Sequence, residues 1–132
     1  MASMMNNTGQ YVPCATYFHD SDCVEYVKQD SFTIYDRVDE FLTLVFDETG
    51  KQLVGFKLKG FKNIFTKQLR PIYRLNNSQF LRLVSAIEAI CVTLGEQLTA
   101  DDERQRSYQA AAKMAVNDNV ELPSQYMSAL AA

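Results

Sequence analysis

The chain has no tryptophan, one histidine, three cysteines and three prolines in 132 residues. Cys14, Cys23 and Cys91 are odd in number and form no Cys-x-x-Cys pair, so neither a disulfide framework nor a zinc site is written in the sequence. Reduced thiols in a cytoplasm are expected. No apolar run approaches the roughly 20 residues of a membrane-spanning helix. Met1 to Gln10 lacks the basic and apolar regions of a secretion signal, so neither export nor a membrane span is expected. Gly55 and Gly60 are not followed by a lysine-serine pair and a helix start, which excludes a phosphate-binding loop. No cofactor is expected.

A further absence is more informative. Between Thr49 and Ile87 there is no acidic residue, yet that stretch holds Lys51, Lys57, Lys59, Lys62, Lys67, Arg70, Arg74 and Arg82, eight of the thirteen basic residues. Residues 1–48 hold nine carboxylates and residues 88–132 hold seven, so the net charge of −3 conceals an acidic, basic, acidic order. Such segregation marks either a surface for an anionic partner or acidic and basic strands that neutralise one another. An overall acidic chain with a pI near 5.1 is not a general nucleic-acid binder, whose whole domain would be basic.

At this length and 47% hydrophobic content, residues 1–132 are expected to form one domain. Residues 1–14 lack a hydrophobic period and are read as a flexible arm. From 15 to 60 the signal is alternation: Val24 and Tyr26, Phe32 and Ile34, Leu42, Leu44 and Phe46, then Val54, Phe56 and Leu58. These predict an antiparallel sheet of about four strands. Asp47 to Lys51 suits a type I turn closed by Gly50 in the left-handed region. Phe41, Thr43, Val45, Leu53, Gly55, Lys57 and Lys59 would then share the second face, which is half apolar and needs cover.

Residues 61–76 form a basic connector broken at Pro71. Asn76-Asn77-Ser78-Gln79 offers helix caps before Phe80, Leu83, Val84, Ile87, Cys91, Leu94 and Leu98 at helical spacing. Thr99, ahead of Asp101, Asp102 and Glu103, predicts a second helix start, running to about Val116 with a small inner stripe of Tyr108, Ala111, Ala112, Ala115 and Val116. The fold class is therefore α+β, with a helical hairpin at 77–117 packed on the sheet and a tail or short helix at 118–132. Leu81, Ala89, Ile90 and Val92 widen the apolar arc of the first helix, so it is expected either to be central to the fold or to bury its second side against another subunit, as in a homodimer.

Three constellations compete for function. His19, Asp20 and Asp22, beside Cys23, are the weak candidates for a metal or acid–base site, although a structural turn explains them more simply. Asp36, Asp39, Glu40 and Asp47 read as solvated turn residues rather than a paired acid and base. The run from Gly55 to Lys62 interleaves Lys57, Lys59 and Lys62 with Phe56 and Phe61, and Lys67, Arg70, Tyr73 and Arg74 extend it. This surface fits an acidic protein partner, or alternatively a nucleic acid, with phosphates on the lysines and a base stacked on Phe61 or Tyr73. In the blander reading the lysines protect a strand edge and face carboxylates on the neighbouring strand.

Asp47-Glu48-Thr49-Gly50 followed by Val54 to Leu58, with Asp22 before Val24 and Tyr26, resembles the closing hairpin and opening strand of short bacterial β domains of unknown function. The resemblance covers residues 18–59 and departs in spacing, since four residues separate Gly50 from Gly55. It implies no active site. It implies a small cytoplasmic protein whose sheet is a scaffold, with helices added for assembly or partner binding. The reading that results is a small non-enzymatic bacterial interaction or regulatory protein; a nucleic-acid module is second, and an enzyme around His19, Asp20 and Asp22 third.

Overall fold

A computed structural model describes residues 3–5, 11–13, 15–29, 32–69, 80–123, 126 and 130. The fold is α+β. Five strands, β3 (Thr16–Phe18), β4 (Cys23–Val27), β5 (Thr33–Arg37), β6 (Leu42–Asp47) and β7 (Leu53–Lys59), form an antiparallel sheet in the order β3-β4-β7-β6-β5. One strand exceeds expectation: Thr16–Phe18 pairs with Cys23–Val27 and is too short to show a period. Two-stranded ribbons join β1 (Ser3–Met5) to β2 (Tyr11–Pro13), within the segment read as a flexible arm, and β8 (Phe80–Arg82) to β9 (Glu121–Pro123). Backbone pairing of three residues leaves no hydrophobic signature in a sequence.

Alternation along the strands delivers the core. Val24, Tyr26, Leu42, Leu44, Phe56 and Leu58 are buried in one cluster with residues of the helical half, including Phe61, Phe65, Leu83, Ile87, Ile90, Tyr108 and Ala111. Helix α1 (Phe61–Ile64) continues into a π-helical turn (Phe65–Leu69). Next come α2 (Leu83–Leu94), α3 (Glu96–Thr99) and α4 (Asp102–Asn117), with α4 touching α2 and lying over β6 and β7. Helix α2 thus begins later than the periodicity suggested, because Phe80–Arg82 is a strand; the capping box at Asn76 to Gln79 lies outside the described residues. Gly95, at φ 53, ends it.

Asp101, not Thr99, caps α4: its Oδ1 accepts the Arg104 N–H at 3.0 Å, and Asp102 and Glu103 sit in the positive first turn. Pro123, in the stretch read as a tail or short helix, lies in β9 opposite Phe80. Leu81, Ala89 and Ile90 are buried within the chain, so α2 is central to the fold; Val92 of the same arc and Val116 of the inner stripe of α4 are exposed, as are Phe32, just before β5, and Ile34 within it.

The sheet's phase breaks once. Val45 pairs with Gly55 and Phe46 with Leu53, leaving Val54 as an extra residue in β7. Leu53 therefore turns to the main core, while Val54 joins Val27 and Val45 in a small cluster on the second face, the reverse of strict alternation. At this bulge β7 presses against β4. A Cβ on Gly55 would meet the Tyr26 carbonyl oxygen and lie 2.8 Å from the Val27 Cα, both backbone atoms that cannot swing aside. Gly55→Ala is therefore expected to destabilise the protein by at least about 3 kcal/mol, the upper range for overpacking, measured by urea denaturation; unchanged stability would contradict this packing.

Candidate interaction surface

Lys57 and Glu25 stand directly opposite each other on the second face of the central strands, where the register pairs β4 with β7. Lys57 Nζ lies 3.0 Å from Glu25 Oε2 and 4.2 Å from the centre of the Tyr35 ring, a cation–π contact. Burial tends to lower the Lys57 pKa, but the hydrogen bond and charge of Glu25 outweigh it, and the ammonium is held above its ordinary value. Cys23, beside this pair, is buried, and burial pushes its thiol up despite the nearby Lys57, which makes it a poor nucleophile. The cross-strand pairing anticipated for an unremarkable sheet applies to Lys57.

The other candidate lysines differ. Lys59, at the end of β7, and Lys67, in the π-helical turn, are exposed, and Lys62, in α1, is half-buried. Among the described residues none of the three has a carboxylate within ion-pair distance. Phe61, proposed to stack on a base, is fully buried in the core between these lysines and is corrected to a structural residue. Arg70, Tyr73 and Arg74 lie outside the described residues.

Asp22 is structural as well. At φ 51 it ends the turn between β3 and β4. Its Oδ1 accepts the Tyr17 hydroxyl at 2.8 Å and the Lys62 N–H at 2.9 Å, and its carbonyl accepts the Gly60 N–H at 3.1 Å. The carboxylate thus ties the first hairpin to the start of α1. His19 and Asp20 are exposed and 3.6 Å apart. Among the described residues no three His, Cys, Asp or Glu side chains gather as a metal would require. No helix among them is long and apolar enough to cross a membrane.

Asp39 departs most from its reading as a solvated turn residue. Its side chain is 7% exposed and accepts four hydrogen bonds: Oδ1 from the Phe41 and Leu42 N–H groups, both at 2.8 Å, and Oδ2 from Arg104 Nε at 2.8 Å and the Tyr108 hydroxyl at 2.7 Å. Burial pushes this carboxyl up, but the bonds from Tyr108, Leu42, Phe41 and Arg104 prevail and hold it below its ordinary value. Burial and then the bond to Asp39 drive the Tyr108 phenol well above its usual range. At the far end of α4, Asp118 Oδ2 accepts the Tyr26 hydroxyl at 2.9 Å and lies 3.6 Å from Lys28 Nζ. Sequence offered no signal for these pairings, since 65 residues separate Asp39 from Arg104. Asp47 does act as a turn residue, accepting the Thr49 hydroxyl at 2.6 Å.

No protein family, curated protein or solved structure matches the chain.

Two outcomes follow from this geometry. Lys57→Glu, which sets a second carboxylate against buried Glu25, is expected to cost more than about 2 kcal/mol, whereas Lys59→Glu should stay within about 0.5 kcal/mol of the parent in chemical denaturation. Asp39 is held below its unfolded value of 3.8, so its stabilisation is complete above that pH and is lost as pH falls through the folded-state pKa. Asp39→Ala, which strands Arg104 and Tyr108, is expected to cost on the order of 3–5 kcal/mol at neutral pH. Asp39→Asn should flatten the acid limb of a stability-versus-pH curve; an unchanged limb would contradict the assignment.

Proposed function

We propose that the chain is a small non-enzymatic bacterial interaction or regulatory protein of the cytoplasm, binding an acidic protein partner through Lys59, Lys62 and Lys67. The observation that carries this reading is the division among neighbouring lysines. Lys57 is neutralised by Glu25, while the next three lysines in the chain are left without an acid among the described residues. Positive charge left unneutralised on a folded surface raises the encounter rate with an anionic partner and selects against cationic ones. Arg70 and Arg74 follow in sequence and would extend the same surface. Cys23 and Cys91 are free thiols, which fits a reducing compartment.

The nucleic-acid alternative has less support. Phe61 is buried, and the exposed Tyr35 ring already carries Lys57 on one face. The enzyme alternative loses Asp22, whose carboxylate is occupied by Tyr17 and the Lys62 backbone.

The test is the combined variant Lys59→Glu, Lys62→Glu, Lys67→Glu. It is expected to keep the parent circular dichroism and to weaken capture of a nuclease-resistant protein partner from host lysate at least about tenfold, or about 1.4 kcal/mol. Capture that is indifferent to the reversal would overturn the proposal. Recovery of nucleic acid alone, with log affinity falling steeply and linearly in log salt, would replace it with the second reading.

A further inference from the structure

We infer that β5 is the pairing edge of a homodimer, in which two copies join their sheets across a two-fold axis at Tyr35. The sheet ends at β5, and the strand is open: Phe32 is 73%, Ile34 41% and Tyr35 56% exposed, and Asp36 and Arg37 are exposed as well. Three of the large hydrophobic side chains exposed among the described residues thus lie in or beside one edge strand, an arrangement that natural sheets avoid unless the edge is used. The opposite edge, β3, is less open, because Thr16 and Tyr17 are buried there. A closed two-fold assembly through the β5 edge pairs β5 with itself.

The register follows from backbone direction. Val38 N–H donates to the Leu42 carbonyl at 2.9 Å, so alternation turns the backbone groups of Ile34 and Asp36 toward β6 and those of Thr33, Tyr35 and Arg37 toward the free edge. Antiparallel self-pairing centred on Tyr35 sets Tyr35 against Tyr35 of the second copy and Thr33 against its Arg37, engaging all three outward residues in each chain. Shifting the centre to Asp36 would put two aspartates face to face, which repulsion disfavours.

In the Tyr35-centred register Arg37 lies in one cross-strand row with Thr33 and Asp47 of the second copy, since Thr33 is opposite Asp47 within each chain. That row spans two strand spacings, about 10 Å, which an extended arginine reaching over a small threonine toward an aspartate can close. Arg37, whose Nε donates to the Asp39 carbonyl at 3.3 Å within its own chain, and Asp47 are therefore complementary across the edge. Lys57 over each Tyr35 ring fixes the outer aromatic surface at the axis.

Sedimentation equilibrium of the purified chain is expected to give twice its 15.0 kDa mass at micromolar concentration, falling to the single mass in Tyr35→Lys, which places two ammonium groups on the axis. Tyr35→Cys supplies an independent readout that tolerates a fold-sensitive first variant. Opposed hydrogen-bonded residues have Cα atoms about 5.5 Å apart, within the range a disulfide bridges. Mild oxidation should therefore cross-link Tyr35→Cys but neither the parent chain nor Arg37→Cys, whose copies would lie about 13 Å apart along the strands. A monomeric parent, a dimer that persists in folded Tyr35→Lys, or equal cross-linking of both cysteine variants would overturn the inference.

Discussion

One carboxylate ties the sheet to the longest helix. Asp39 sits in the loop between β5 and β6, where its Oδ1 fixes the backbone entering β6, while its Oδ2 takes Arg104 and Tyr108 from α4. The same group therefore shapes a strand entry and orients the longest helix, and Tyr108 is itself a fully buried member of the core. A buried carboxylate is tolerable only when its acceptors are filled, and four donors fill them here. Asp118, bonded to Tyr26 of β4, repeats the arrangement at the other end of α4. Between these anchors the small residues Ala111 and Ala115 are buried in the shared core.

With one face of the sheet committed to the helices, the second face determines what the surface can do. It is stitched at its centre by Glu25, Lys57 and Tyr35 and packed by Val27, Val45 and Val54. The positive charge of Lys57 is spent within the fold; of the lysines that follow it, Lys59 ends β7, while Lys62 and Lys67 are carried past the sheet by α1 and the π-helical turn. Asp22 governs that departure, because it binds the Gly60 and Lys62 backbone and so sets where α1 begins. Thus a residue suspected of chemistry positions the segment that bears the free charge.

The α+β class, the Gly50 turn and most core residues were legible, because alternation in Leu42 to Phe46 and the 3.6-residue spacing of Leu83, Ile87 and Ile90 report which side faces oil. Gly50 occupies the left-handed region, at φ 73, as the turn chemistry required. Legibility failed where one added residue or one distant partner decides the outcome. The extra residue at Val54 reversed a face, Phe80–Arg82 paired with a segment some forty positions later, and Asp39 found Arg104 across 65 residues. For the surface, the sequence exposed the acid-free stretch, but not that Glu25 would neutralise one lysine within it, nor that Phe61 would be interior.

In the proposed reading, neighbouring lysines are divided between fold and partner. Amine-labelling footprinting by mass spectrometry, on the purified chain and in lysate of its own cells, tests it most directly. Lys57 is expected to label slowly in both settings, while Lys59, Lys62 and Lys67 label readily when purified and become protected together in lysate. Equal labelling of Lys57 and Lys59 in the purified protein, or free labelling of all three outer lysines in lysate, would contradict the account.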